Sequence, residues 1–198
     1  MNGASVARGR EVPRKTLHLT TASIPLVLWF GAPQRAVSMV LLALCGIACL
    51  VELARRRSAV VASHFDASVG VMLRPHEVTH GITGATWLLA TFAICSLAAP
   101  LPALIAGTWA GAVGDASAAL VGGAWRRARG GSGKTLIGSL ACAVAATLGA
   151  WWLAGFALMP AAGLGVLAAA VERPAIALDD NVRVTAAVAL AATLLLQL

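Results

Sequence analysis

The chain has 198 residues, of which 59% are apolar and 12% are charged, and its mean hydropathy is +0.84. Soluble domains are nearer half apolar and a quarter charged, so the composition excludes an ordinary soluble domain and indicates one integral membrane domain over residues 1–198. The net charge is +7, but the cations lie at the ends of apolar segments. This placement argues against a nucleic-acid partner and fits anionic lipid headgroups.

Seven apolar segments follow in chain order and predict an all-α, polytopic fold with about seven transmembrane helices. A bilayer core needs roughly 20 apolar residues per helix, and fewer where a helix is short or bent. The segments cover residues 17–31, 36–53, 78–99, 101–123, 136–158, 161–171 and 184–198. The expected connections carry prolines, which often mark the ends of helices: Pro33, Pro100, Pro102 and Pro160.

The cations define an orientation for this arrangement. Fourteen of the fifteen lysines and arginines fall on one side of it, and Arg35 falls on the other. The positive-inside rule then predicts a multi-pass protein of the inner or cytoplasmic membrane, with a cytoplasmic N-terminus and an external C-terminus. The expected cytoplasmic parts are an N-terminal segment 1–16, loops 54–77 and 124–135, and an acidic loop 172–183. Apolar residues recur at helical spacing in loop 54–77, which predicts an amphipathic helix at the membrane surface.

An acid interrupts the fourth apolar segment. Gly111, Asp115, Ala118 and Gly122 share one face of a helix, so the carboxylate would lie in a groove of small residues. A carboxylate at membrane depth is costly unless it meets a cation or water, and it therefore marks a functional site by default. The alternative is close helix packing with an incidental acid paired to an arginine.

A glycine-rich basic loop precedes the fifth segment. Residues 128–135 read ARGGSGKT and resemble a Walker A loop, but Ala128 replaces its first glycine and no strand precedes it. We therefore reject a Walker A assignment. Gly133, Lys134 and Thr135 can nevertheless grip phosphate, because free N–H groups and positive charge converge where a helix begins. An ordinary glycine-rich loop remains the alternative for Gly130 and Gly131.

Two further groups of polar residues lie at the same predicted membrane boundary. The first group is Arg14, Lys15 and His18, near the start of the first helix; separately, Arg74 and Glu77 are spaced to form an ion pair. The second group lies around the start of the seventh apolar segment, is acidic and could hold Mg²⁺ together with substrate phosphates. Its members are Glu172, Asp179, Asp180 and Asn181. Helix capping by Asp179 or Asp180 is the alternative.

The ordered combination of these motifs resembles the CTP-dependent lipid-alcohol kinases, namely dolichol kinase, phytol kinase and the fungal-type diacylglycerol kinase. The resemblance covers nearly the whole chain. It rests on residues 11–18, 74–77, 114–122 and 134–141, and on Glu172 with Asp180 and Asn181. Family members often carry an acid before the Gly-Ser pair, where this chain has Ile137.

The resemblance implies a membrane kinase that moves the γ-phosphoryl group of CTP onto a lipid alcohol with Mg²⁺. On this interpretation Asp115 binds Mg²⁺ or acts as general base, with Glu172, Asp180 and Asn181 as further metal candidates. Arg14 and Lys15 would hold the transferring group. The residues expected to bind the nucleotide are His18, Gly122, Gly133, Lys134, Thr135, Gly138 and Ser139. The expected partners are thus the lipid alcohol, the nucleotide and membrane lipids, while the particular alcohol and the oligomeric state are left open.

Two other functions compete with the kinase. A phosphatidate cytidylyltransferase would also use CTP, but such enzymes carry a dense acidic and basic signature near the C-terminus, where residues 184–198 are apolar. A non-catalytic transporter or lipid-binding protein would line a path across the membrane with its acids. Here the acids cluster on one side.

Overall fold

The computed structural model describes residues 14–73, 77–78, 81–130, 133–174 and 179–198, and these residues form helices and connections without a strand. The helices that can be followed there are α1 (14–20), α2 (Ser23–Trp29), α3 (Gln34–Arg57), α4 (Ala59–Val69), α5 (Gly84–Ala98), α6 (Leu101–Arg129), α7 (Leu136–Leu153), α8 (Leu158–Glu172) and α9 (Asp180–Leu195). The predicted all-α fold is therefore confirmed for the described part of the chain.

Three helices are long and apolar enough to cross a membrane, by length and composition: α3, α6 and α7. Helices α5 and α8 are apolar but shorter, with 15 residues each. The outer surface carries large apolar side chains, among them Met39, Ile94 and Trp152, which are 71%, 66% and 74% exposed. Large exposed apolar patches mark interaction surfaces, and a membrane is one of the surfaces that they fit.

The interior is built from small residues that let the helices approach closely. A Cβ on Gly107 of α6 would lie 2.7 Å from Ala189 Cβ and 2.9 Å from the Thr185 carbonyl oxygen, both on α9. A Cβ on Gly138 of α7 would lie 2.7 Å from the Ala118 carbonyl oxygen on α6. These crossings leave no room for a side chain, which is the packing mode of helices that cannot rely on the hydrophobic effect in lipid.

Polar contacts join the two ends of α3 to the two ends of α5. At one end, Gln34 Nε2 donates to the carbonyls of Ser96 and Ala99, at 2.9 Å each. At the other end, Glu52 Oε1 accepts from Thr83 N at 2.8 Å. Helices α3 and α5 are therefore antiparallel neighbours. The end of α3 lies beside the start of α5.

The helix boundaries differ from the apolar segments in physically understandable ways. The first segment is divided between α1 and α2, since the Thr20 and Thr21 hydroxyls donate to the carbonyls of Leu17 and His18, and Pro25 has no N–H to continue the ladder. Pro160 was expected in a connection, but it lies in the first turn of α8, where its missing N–H costs nothing.

Three expected loops, 54–77, 124–135 and 172–183, are shorter than predicted, because helices extend into them; in the third, α9 already begins at Asp180. Helix α6 continues to Arg129, so residues 124–129 are helical and the connection starts at Gly130, whose φ of 76° ends the helix. Basic residues in that last turn favour the extension because they complement the helix dipole. Within 54–77, α3 runs to Arg57 and α4 follows, which confirms that a helix lies in this loop. Arg74, predicted to pair with Glu77, lies outside the described residues.

Candidate functional site

Five helix segments meet at one half-open cleft of about 160 Å³. The start of α1, the middle of α6, the start of α7, the end of α8 and the start of α9 each contribute side chains. The lining residues are Arg14, Lys15, Asp115, Ala118, Ala119, Arg126, Lys134, Thr135, Gly138, Ser139, Glu172 and Asp180. Most of the predicted site residues, from four distant parts of the sequence, therefore share one cleft.

Asp115 forms the inner end of this cleft and is 4% exposed. Its carboxylate pairs with the ammonium of Lys15, which is buried as well. The residue directly follows a π-helical turn over Ala110–Gly114, a feature that is frequent at functional sites. The alternative of an incidental acid paired to an arginine does not describe this contact, since the partner is a lysine that belongs to the same predicted site.

His18 lies behind Asp115 and does not line the cleft. Its Nε2 is 2.8 Å from the Gly111 carbonyl oxygen and 3.6 Å from Asp115 Oδ2. A carbonyl oxygen can only accept, so Nε2 carries the proton and donates to Gly111. The partner of this buried histidine is thus a backbone group in the π-helical turn. A role for His18 in holding the nucleotide has no contact to support it here.

Lys134 closes the opposite side of the cleft. Its ammonium lies 2.8 Å from Glu172 Oε1 and 3.0 Å from Asp180 Oδ2, and it also donates to the Glu172 carbonyl. Burial opposes the charge on Lys134, but the hydrogen bonds to the two carboxylates outweigh it and raise its pKa above the usual lysine range. The side chain is 32% exposed, so it can exchange these partners for an arriving anion.

Some of the polar groups at the start of α7, beside Lys134, already have hydrogen-bond partners within the protein. The Thr135 hydroxyl accepts from Gly138 N at 3.1 Å as an N-cap, and Ser139 Oγ donates to the Thr135 carbonyl at 3.3 Å. Gly133 does not line the cleft, and its carbonyl accepts from Arg126 Nη1 at 2.5 Å. The amides expected to cradle phosphate are thus fewer than the sequence predicted, and side-chain cations supply most of the positive charge.

Three carboxylates converge in the cleft. Ligand oxygens of Asp115, Glu172 and Asp180 lie within 4.8 Å of one another. Two oxygens on opposite sides of one Mg²⁺ are about 4.2 Å apart, because each Mg–O distance is about 2.1 Å. Neighbouring oxygens around one Mg²⁺ are only about 3 Å apart, so the three side chains have the ligand type that a hard divalent cation prefers but would have to draw together to hold one. Lys15, Lys134 and Arg183, whose guanidinium pairs with Asp180, neutralise these acids in the structure, and these contacts would have to rearrange around a cation.

The fourth predicted metal ligand does not join this group. Asn181 Nδ2 donates to the Gly84 carbonyl at 3.2 Å, on the far side of α9. The reason is helical geometry: consecutive residues point in directions about 100° apart, so Asp180 and Asn181 cannot both enter the cleft. Asp179 accepts from Asn181 N at 2.9 Å and is the cap of α9. The capping alternative therefore holds for Asp179, while Asp180 is left for the cleft.

Gly122 lies outside the cleft, although Gly138 lines it. A Cβ on Gly122 would lie 2.7 Å from Thr135 Oγ1 and 3.4 Å from Gly138 Cα, so Gly122 serves the contact between α6 and α7. Arg126, in contrast, lines the cleft and was not singled out from the sequence. The signal was available, because Arg126 follows Asp115, Ala119 and Gly122 on the same helical face.

Comparison of the chain with protein-family models, with curated proteins and with solved structures finds no match.

Proposed function

We propose that the chain is a multi-pass membrane kinase that transfers the γ-phosphoryl group of CTP to the hydroxyl of a lipid alcohol. The observation that carries the proposal is the cleft, where four cations and three carboxylates from five helix segments converge beside a strongly apolar surface. Phosphoryl transfer requires mainly positioning and charge neutralisation, which such a set of side chains can supply. The choice of CTP as donor rests on the family resemblance of the sequence.

The cleft has the size of a reacting centre. Its volume of about 160 Å³ is close to the roughly 150 Å³ of an apolar cavity that holds one benzene. It therefore suits the transferring phosphoryl group, while the rest of the nucleotide extends through the open side. Arg126 and Lys134 line the part contributed by the ends of α6 and α7, where the remaining phosphates would lie.

In this proposal separate groups of residues bind the metal ion, the nucleotide phosphates and the transferring phosphoryl group. Asp115, Glu172 and Asp180 would hold Mg²⁺, which when bound neutralises phosphate charge and aligns the phosphate oxygens. Lys134 leaves the carboxylates and binds the nucleotide phosphates, and Arg14 and Lys15 bind the transferring group from the opposite wall. The alcohol oxygen forms a bond to the γ-phosphorus and the bond to the β-phosphate oxygen breaks. The hydroxyl proton is released to water at the open side of the cleft, and CDP departs.

A seven-span topology with a cytoplasmic N-terminus is part of the same proposal. The starts of α1, α5, α7 and α9 and the ends of α3, α6 and α8 line the cleft or the residues directly beside it. Such alternation of starts and ends is what an up-and-down bundle of seven spans requires, with α1 and α2 as one bent span. The cation bias then favours the cytoplasmic side for the cleft.

The proposal is tested with protein purified in detergent and offered CTP, ATP, GTP or UTP together with phytol, a polyprenol or diacylglycerol. We expect a lipid monophosphate and CDP to form in equal amounts, with CTP preferred. Formation of pyrophosphate and a CDP-lipid from a lipid phosphate would instead indicate a cytidylyltransferase. No turnover with any pair, by protein that still binds Mg²⁺ and unfolds cooperatively, would contradict an enzymatic role.

A further inference from the structure

A second cavity of about 390 Å³ lies beside the cleft, between α1, α3, α4 and α5. Its wall is largely apolar and includes Val51, Phe65, Val69, Met72, Leu88 and Leu89. We call it the apolar chamber. Ligand sites are typically cavities of about 300–1,000 Å³ lined mostly by apolar side chains with a few polar groups, and the apolar chamber falls within this range.

The apolar chamber and the cleft share a wall in α1. Arg14 lines both cavities, the adjacent Lys15 lines the cleft, and His18 lines the chamber. His18 Nε2 lies only 3.6 Å from Asp115 Oδ2, so one side chain separates the chamber from the carboxylate at the inner end of the cleft. A molecule in the chamber can therefore present one end to the cleft only beside Arg14, which both cavities share.

The other polar groups on the chamber wall are already bonded to the protein. Glu52 Oε1 accepts from Thr83 N at 2.8 Å, and Glu77 Oε1 accepts from Gly84 N at 2.9 Å. Asn181 donates to the Gly84 carbonyl. These bonds link neighbouring parts of the fold, so these wall groups do not need a polar ligand as a hydrogen-bond partner. The chamber therefore suits a hydrocarbon chain that brings a single polar group.

We propose that the apolar chamber binds the hydrocarbon chain of a single-chain primary alcohol, with the hydroxyl directed to Arg14, the residue that both cavities share. This rests on the proposed kinase function and names its substrate class. The guanidinium of Arg14 carries several N–H donors, so it can donate to the alcohol oxygen beside the cleft. A cavity of roughly 150 Å³ holds one benzene, so the chamber accommodates on the order of 15 carbons. It is one cavity, which fits one chain rather than the two of diacylglycerol.

The test is photocrosslinking of a long-chain primary alcohol that carries a diazirine on its chain, with the full protein in lipid nanodiscs and without nucleotide. Ala48 lines the chamber from α3 and is half-buried, so Ala48→Phe fills part of the space. Ala43 on the same helix is exposed and does not line the chamber, so Ala43→Phe is the matched control. Unlabelled alkanols of increasing length compete with the probe in the wild-type protein.

We expect crosslinks at Phe65, Val69 and Leu89 that Ala48→Phe removes and Ala43→Phe retains. Competition should strengthen about fourfold per methylene and level off near 15 carbons, on the order of the chamber's capacity. Equal labelling of both variants, no plateau, or equal competition by diacylglycerol would overturn the proposal. Crosslinks in the chamber without any turnover with CTP would reject the kinase and keep the chamber. Turnover of single-chain alcohols that Ala48→Phe leaves unchanged would reject the chamber and keep the kinase.

Discussion

The ion pair between Lys15 and Asp115 predicts that Asp115→Asn costs stability as well as activity. Both side chains are buried, with exposed fractions of 7% and 6%. Removing one partner of a buried pair costs about 3–5 kcal/mol, because the remaining charge is left uncompensated. Asparagine keeps a carbonyl that can accept from Lys15, so we expect the lower end, about 3 kcal/mol, or a loss of roughly 150-fold in the folded-to-unfolded ratio.

A double variant separates the two effects. Lys15→Met combined with Asp115→Asn removes the stranded ammonium, and replacement of a buried pair by neutral residues is often neutral. We expect the double variant to unfold within about 1 kcal/mol of the wild-type protein and to remain inactive. Unfolding by dodecyl sulfate in mixed micelles can be followed by the fluorescence of the six tryptophans. The matched control is Asp66→Asn, since Asp66 is exposed on α4 and lies away from the cleft.

Two results would refute this reasoning. If Asp115→Asn were as stable as the Asp66→Asn control, the buried pair would not hold α1 against α6. If the double variant were less stable than either single variant, the two side chains would contribute independently. Near-wild-type turnover of Asp115→Asn at saturating Mg²⁺ would move the metal assignment to Glu172 and Asp180.

Four further predictions concern nucleotide binding, pH dependence, packing and topology. Lys134→Ala should weaken CTP use roughly 10- to 150-fold, the equivalent of about 1.5–3 kcal/mol for one charge-assisted contact, while Arg127→Ala outside the cleft should not; an unchanged KM for CTP would make the loop structural. Because the pKa of Lys134 is raised, its side chain stays charged at every pH up to the ordinary lysine pKa of about 10.4. Its contribution to the free energy of unfolding should therefore be lost only as the pH rises beyond that value, and a loss of stability near neutral pH that Lys134→Ala abolishes would contradict this assignment. Gly107→Ala should cost about 1–3 kcal/mol in unfolding by forcing α6 from α9, without a change in KM; wild-type stability would show that the helices can separate freely. A cysteine appended after Leu198 should react with an impermeant maleimide from outside intact cells, and one near the N-terminus should not; a protected C-terminus would reject the seven-span topology.

The sequence predicted those cleft residues that stand out in a short stretch of the chain. Asp115 stands out because an acid on a small-residue face at membrane depth needs a reason, and Lys134 stands out because it opens a helix after glycines. Arg14 and Lys15 were singled out by their position near the start of the first helix and given a role through the family resemblance, and the structure places both on the cleft wall. Charge patterning and hydropathy also give most of the helices, since both depend on short stretches of chain.

The rest depends on contacts between distant residues. No local pattern pairs Lys15 with Asp115, which lie 100 positions apart. Periodicity alone cannot decide which of two neighbouring residues on α9 faces the cleft, so Asn181 was grouped with Asp180. The π-helical turn before Asp115 is equally hidden, because glycine and alanine occur in both helix types and only tertiary packing selects between them. The apolar chamber is made mainly by α1, α3, α4 and α5 and has no signature in any one of them.

The fate of the α- and γ-phosphates of labelled CTP tests the central claim most directly. The purified protein is given CTP labelled at either the α- or the γ-phosphate, a single-chain primary alcohol and Mg²⁺, and the lipid fraction is extracted and counted. The account predicts that the γ-label enters the lipid as a monophosphate while the α-label stays in CDP, and that Asp115→Asn abolishes the transfer. Entry of the α-label into lipid, or of neither label under conditions where CTP binds, would contradict it.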